Sequence, residues 1–263
     1  MERLPRLIIA FAVLAALFLV LERLFPGIRG QKILRKGYRT DVAYWLFTGI
    51  VTNYITRAAI FVVLLAAFVV LGTGGTFRDF VVGYGPLSRQ PLWLQAIEML
   101  VIADFCGYWT HRAFHGGRLW PFHAIHHCSE EVDWLSSVRL HPLNDTANKF
   151  AQSLPLIALG FSPVAIAGIV PFLIFHAIML HANLNWDFGP LRAVISSPVF
   201  HRWHHTKEGE ARDKNFGALF PAWDILFGTY HMPQDKTPAI FGTDDRVPET
   251  LGAQLVYPFR RAR

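Results

Sequence analysis

Charge is scarce in this sequence and cysteine nearly absent. Of 263 residues, 17% are Asp, Glu, Lys or Arg and 52% are hydrophobic, too apolar a balance for an ordinary soluble domain. A bilayer is the solvent it suits. Cys106 and Cys128 are its 2 cysteines, neither in a CxxC, which argues against a disulfide framework or a thiolate zinc site and for a reducing, cytosolic face. The net charge of +6 comes with no basic-aromatic or zinc-finger pattern, so nucleic acid is not an expected partner. The basic residues border apolar runs instead, where anionic lipid headgroups account for them. No small-residue cleavage site follows the first apolar run, which is therefore expected to stay as a membrane segment. No repeat or low-complexity tract organises the chain.

What is present is a series of helical apolar stretches. Residues 7–21 carry no charge, a run of about 22 Å as helix that crosses if Arg6 and Arg23 reach the interface. The following loop holds Arg23, Arg29, Lys32, Arg35, Lys36 and Arg39 against Glu22, which places it in the cytoplasm by the positive-inside rule. Residues 41–72 read as one helix, and the glycine-rich stretch 72–89 as a non-cytoplasmic turn whose GTGG is too weak for a nucleotide loop. Residues 93–115 return the chain to the cytoplasmic side. Residues 150–186 lack any Asp, Glu, Lys or Arg and break near Gly160 and Ser162-Pro163, as an apolar hairpin would. The expectation is an all-α polytopic membrane bundle of about four transmembrane helices or hairpin halves, topped by a cytosolic helical cap. Residues 1–90 would form the N-terminal membrane helices and 91–263 the catalytic region, within one structural domain.

Histidine is the main functional signal. His111 and His115 stand four apart in HRAFH; His123, His126 and His127 form HAIHH; His201, His204 and His205 form HRWHH. On a helix, imidazoles at i and i+4 share a face and can bind one ion together, while a ring at i+3 is angled toward a neighbouring ion. These eight rings, with His181 and His141, give nine or ten donors, enough for two metals. His176 and His231, standing alone, read as ordinary polar residues. Asp104 falls on the same helical face as His111 and His115, where a buried carboxylate could accept a ring N–H and fix its tautomer. Asp104 and His141 are thus expected to support the site, His141 either as ligand or as ring-orienting group. Imidazole suits iron, zinc, copper and nickel alike. The HExxH of zinc hydrolases and the Glu-x-x-His of carboxylate-bridged di-iron proteins are both missing, and redox irons at a lipid boundary fit the activation of O2.

The three boxes resemble those of the sterol desaturase and fatty acid hydroxylase superfamily, membrane-bound non-haem di-iron oxygenases. The likeness runs over residues 104–230 and includes YWTHR, RLHP around His141, HANL from His181, SSPVFHRWHH and KNFGALFPAWDILFGTY. It implies two irons (Fe2+/Fe3+) held by His111, His115, His123, His126, His127, His181, His201, His204 and His205, O2 as co-substrate, and hydroxylation or desaturation of a lipid from a cytosol-facing site. The segment DKNFG, residues 213–217, resembles sterol desaturase-like and alkylglycerol monooxygenase-like members. The latter use tetrahydrobiopterin; others draw electrons from cytochrome b5, ferredoxin or a reductase, and no such module is visible in this sequence. A divalent-metal transporter would line several spans with histidine at mid-depth, whereas these boxes lie mainly outside the apolar runs. A non-catalytic lipid-binding relative would have lost ligands that this chain keeps.

Overall fold

A computed structural model describes residues 3–71 and 76–261; the GTGG stretch lies outside the described residues. The first helix, α1 (Arg3–Leu24), turns most of its surface outward, with Ile8, Ile9, Val13 and Val20 each more than half exposed. Its single buried residue is Phe18, which stacks on Trp134 at 5.9 Å between ring centroids. A helix so apolar and so bare is solvated by lipid.

α2 (Tyr38–Phe47) runs through a π-helical turn, Thr48–Thr52, into α3 (Asn53–Leu71). The sequence reads as one uninterrupted helix, and the wide turn is what the structure adds. It falls where α1 crosses, at Gly49, whose missing Cβ would stand 2.8 Å from Leu7 Cδ1. After the short α4 (Phe77–Val82), α5 (Leu92–Phe114) packs along α7 (Pro142–Ala158) through Met99, Ala103 and Leu156, with Phe161 of the following bend added to the cluster. α6 (Trp120–His127) follows α5, and α8 (Pro163–His181) is the second arm of the apolar hairpin. Gly160, at φ +90°, forms the bend between α7 and α8, where a Cβ would meet the Tyr84 carbonyl at 2.1 Å. α9 (Pro198–His204), α10 (Ala222–Leu226) and α11 (Leu251–Arg261) complete the cap.

Three of the helices that carry or flank the histidines start in the same way, with a capping side chain and then proline at the first turn. His141 accepts from Leu143 N–H, Ser162 from Val164 and Ala165, and Ser197 from Phe200, each followed by Pro142, Pro163 or Pro198. Beyond these helices only two isolated β-bridges, Pro26 with Leu184 and Thr206 with Phe241, occur among the described residues. The chain is all-helical.

Among the described residues, three helical stretches are long and apolar enough to cross a bilayer: Arg3–Leu24, Tyr38–Val70 and Pro163–His181. α5 has the length, at 23 residues, but buries Gln95 and Asp104 against the rest of the fold. Gln95 closes on the Ser88 and Gln90 carbonyls at the start of the helix, and Asp104 reaches the loop behind the histidines.

One buried charge network ties the N-terminal part to the cap. Arg35 donates to Asp41 Oδ2 and to Asp133 Oδ2, each at 2.7 Å, and Arg139 donates to Asp41 Oδ1 at 2.6 Å. Two cations alternate with two carboxylates, so each charge removed from water has an opposite one beside it.

Candidate metal centre

Nine histidines from four places in the chain meet in two groups. His111, His115, His123, His127 and His204 make the first; His126, His181, His201 and His205 make the second, and within each group one donor atom per residue lies within 4.8 Å of the others. The two HxxHH boxes divide between them in opposite senses. His123 and His127 of α6 enter the first group and His126 the second, whereas His201 and His205 enter the second and His204 the first. Helical geometry dictates this: i and i+4 share a face, and i+3 points off it.

The outward nitrogens of six of the nine rings are held by oxygen. His111 Nδ1 donates to the Phe216 carbonyl at 2.9 Å, His123 to Asn144 Oδ1 at 2.8 Å, His126 to the Arg139 carbonyl at 3.2 Å and His204 to the Lys214 carbonyl at 2.8 Å. His181 Nδ1 donates to the Ala177 carbonyl at 2.7 Å, and His115 Nδ1 to the Asp213 carboxylate at 3.0 Å. An oxygen of this kind only accepts, so the ring proton sits on Nδ1 and the Nε2 lone pair faces inward.

Those inward lone pairs crowd one another. His126 Nε2 and His181 Nε2 are 3.0 Å apart, His111 Nε2 and His123 Nε2 also 3.0 Å, and His181 Nε2 is 3.1 Å from His201 and 3.2 Å from His205. In the His126–His181 and His111–His123 pairs, where oxygen acceptors hold both protons on the far side, the lone pairs repel unless a cation lies between them. Two nitrogens each roughly 2.1 Å from one ion and about 90° apart would stand about 3.0 Å from each other. The donor set therefore fits a metal in each group.

Burial reinforces the neutral, ligating form. It holds His123, His126, His127, His201, His204 and His205 well below the ordinary imidazole value, and neighbouring imidazoles push in the same direction. Phe216 lies over the first group, its ring centroid 4.9 Å from His115 and 5.7 Å from His204. Trp120 stands beside His115 and His127 at 5.2 and 5.5 Å.

Asp104 and His141 lie outside both groups. Asp104 accepts the N–H groups of Leu219 and Phe220, both at 2.8 Å, and Trp223 Nε1 at 3.0 Å. It holds the loop whose Phe216 carbonyl orients His111, and touches no imidazole itself. His141 is spent at the start of α7, where Nδ1 accepts from Leu143 N–H at 3.1 Å and Nε2 donates to the Leu255 carbonyl at 3.2 Å. His176 and His231 also stay outside the groups. Asp224 braces the same loop as Asp104, accepting Phe216 N–H at 2.8 Å, Gly217 N–H at 2.7 Å and the Thr229 hydroxyl at 2.6 Å. Both cysteines are free thiols.

Sequence reasoning missed the partners of the rings. Asn144 and Asp213 carry no spacing signal, and the remaining partners are backbone carbonyls, which no side-chain motif announces. Asp213 and Asn215, at φ 56° and 59°, gave the one available hint, since Asp and Asn tolerate the left-handed backbone this loop needs.

The family model for fatty acid hydroxylase matches residues 96–229, and the chain belongs to that family. Over 176 residues it is 35% identical to an ornithine lipid hydroxylase, OlsE, of Rhizobium tropici, covering 66% of this chain and 53% of that protein. It is 33% identical over 149 residues to an alkylglycerol monooxygenase of Caenorhabditis elegans, covering 56% of this chain and 29% of the relative. A Delta(7)-sterol 5(6)-desaturase of Gibberella zeae is 28% identical over 165 residues, 58% of this chain and 44% of the relative. The chain thus spans about half or less of the length of these relatives. No solved structure matches it.

Proposed function

We propose that this chain is an integral membrane non-haem di-iron oxygenase, which uses O2 and electrons from a separate donor to hydroxylate or desaturate a C–H bond of a lipid. One iron would be held by His111, His115, His123, His127 and His204, the other by His126, His181, His201 and His205. The observation that carries this reading is the division of both HxxHH boxes between two all-imidazole groups with their lone pairs turned inward. The names of the relatives, an ornithine lipid hydroxylase, an alkylglycerol monooxygenase and a sterol desaturase, support a lipid as substrate.

The bound irons would supply the O2 and redox chemistry. The protein's part is carried by residues already described. The carbonyls of Phe216, Arg139, Ala177 and Lys214 keep a proton on Nδ1 of His111, His126, His181 and His204, so the Nε2 of each of these rings stays a donor. Phe216 and Trp120 wall the first group, and burial keeps water from the rings. A cytosolic position for the site is supported by the basic loop at residues 23–39: through Arg35 it is bonded to Asp133, on the segment that leads to Arg139 and so to His126.

Metal analysis and O2 uptake of the purified chain test the proposal. About two irons per chain with O2 consumed upon lipid oxidation are expected. His204→Ala should lower iron toward about one per chain and reduce turnover by at least 100-fold, since it removes a ligand outright. Vesicle transport of a divalent ion without O2 use would instead support a transporter, and wild-type turnover by His204→Ala would defeat the assignment.

A further inference from the structure

A cavity of about 540 Å³ opens between the C-terminal end of α1 and the loop at residues 26–33, closed from behind by Asp133, Trp134 and Asn183, and none of the nine clustered histidines lines it. Its volume suits a small organic group with the start of a chain. Its walls differ in chemistry. Ala15, Ala16 and Leu19 form one side, continuous with the outward face of α1 at Val13, Leu17 and Val20 that lipid covers. Arg23, Arg29 and Lys32 form another, and none of the three has a hydrogen-bond or ion-pair partner among the described residues.

The remainder of the cavity is fixed in place. Glu22 Oε1 accepts Trp134 N–H at 3.1 Å and Asn183 N–H at 2.9 Å, so the carboxylate is committed to the protein's own backbone. Gln31 donates from Nε2 to the Val132 carbonyl at 3.1 Å, which leaves its buried Oε1 without a partner. An unanswered buried acceptor and three unpaired cations at one mouth call for a ligand that is anionic and also donates a hydrogen bond. The apolar wall that runs into the bilayer calls for an acyl chain on the same molecule.

We propose that this cavity binds an acidic membrane lipid. Its phosphate sits among Arg23, Arg29 and Lys32, a headgroup hydroxyl donates to Gln31 Oε1, and the first part of an acyl chain lies on Ala16 and Leu19. A free phosphate would satisfy the cations and leave the apolar wall bare. Basic side chains at a membrane surface attract acidic lipids in any case. What this site adds is a cavity that selects one molecule.

Lipid retention by the full chain, read by native mass spectrometry from mixed phosphatidylglycerol and phosphatidylcholine micelles, tests the site without recourse to turnover. The wild type is expected to keep one phosphatidylglycerol per chain in at least tenfold preference over phosphatidylcholine. Arg29→Gln with Lys32→Gln should abolish the preference. Ala16→Phe, at an exposed helix position that leaves every charge in place, should lower retention about tenfold by filling the chain's seat. Arg39→Gln with Arg260→Gln removes the same charge elsewhere and should leave retention unchanged. Circular dichroism confirms the helical fold of each variant. Wild-type retention by Ala16→Phe, or equal loss in the charge-matched control, would overturn the site in favour of unselective surface attraction.

Discussion

The two histidine groups are alike at the rings and differ in what stands behind them. The first group is oriented mainly by the loop at residues 213–220, where Asp224 accepts the N–H groups of Phe216 and Gly217 and Asp104 those of Leu219 and Phe220, with Asn144 behind His123. The second is oriented from α8's own backbone and from the Arg139 carbonyl, and Arg139 is gripped by Asp41. Asp41 and its partner Arg35 precede the family match at residues 96–229. One half of the site is therefore built wholly within the family region. The other half depends on the N-terminal portion of this chain, so damage there should be felt unequally.

Acid breaks both halves at once and gives the largest effect. In metal-free protein the buried histidines outside the membrane helices have folded values well below 6.5, while in the unfolded chain they return to about 6.5. As pH falls below about 6.5, the unfolded state takes up protons that the folded state refuses, so this stability is full above that value and is lost toward lower pH. Each such histidine contributes on the order of 1.4 kcal/mol per pH unit in that window. Thermal unfolding of the metal-stripped chain should be nearly flat from pH 7.5 to 8.5 and fall steeply from 6.5 to 5.5. A flat profile through that lower range would contradict the buried, neutral rings.

Asp41→Asn separates the halves. It leaves two buried guanidinium groups facing one carboxylate, Asp133, and breaking a pair of this kind costs about 3–5 kcal/mol. Because Arg139 loses its carboxylate partner and keeps only the Gly37 carbonyl and Cys128 Sγ, the carbonyl that holds His126 Nδ1 loosens. Metal should leave the second group while the first keeps its ion, seen as a fall from two toward one metal per chain. Equal loss from both groups would mean that the network stabilises the fold without favouring either.

Asp104→Asn is the mirror test, with a smaller effect. An amide cannot accept on both of its heavy atoms, so at least one of the three donors at Leu219, Phe220 and Trp223 goes unanswered, at about 1–3 kcal/mol. The first group should loosen and the second stay filled. The Asp104 position also shows where sequence reading stops. Its helical phase with His111 and His115 was legible and marked it as part of the site, but phase does not say whether a carboxylate meets an imidazole or a backbone N–H. RLHP likewise placed His141 near the boxes and could not show that both of its nitrogens serve the ends of other helices.

The split of each HxxHH box could be read from helical spacing alone, as could the apolar stretches and the hairpin bend at Gly160. Which box joins which was not legible, because residues 111 to 205 are brought together by packing between α5, α6, α8 and α9, and that depends on long-range contacts with no local period. The same holds for the Arg35–Asp41–Asp133–Arg139 network: four charges scattered over about a hundred residues look like solvated surface until the fold buries them. The basic loop was assigned to a membrane surface by its charge, and its Arg35 turned out to lie in the interior at 4% exposure.

Asn144→Ala should produce the smallest change and the most local one. Its side-chain oxygen holds His123 Nδ1 at 2.8 Å, and the residue sits in the first turn of α7, where alanine is well tolerated as a helix former. Loss of a partner behind one ligating ring lowers metal affinity by about 10–100-fold, and with four other imidazoles in the group the lower end of that range is expected. Competition with a chelator would measure it, the weaker-held ion leaving the first group about tenfold more readily while helix content and the second ion stay as in the wild type. Because His123 would be free to take the other tautomer, with its proton on Nε2, Asn144→Gln should fail to restore affinity unless its longer side chain reaches the same nitrogen. If Asn144→Ala held both ions as tightly as the wild type, the inward lone pair of His123 would be set by packing of its ring alone, and the oxygens behind the other rings would need the same test one at a time.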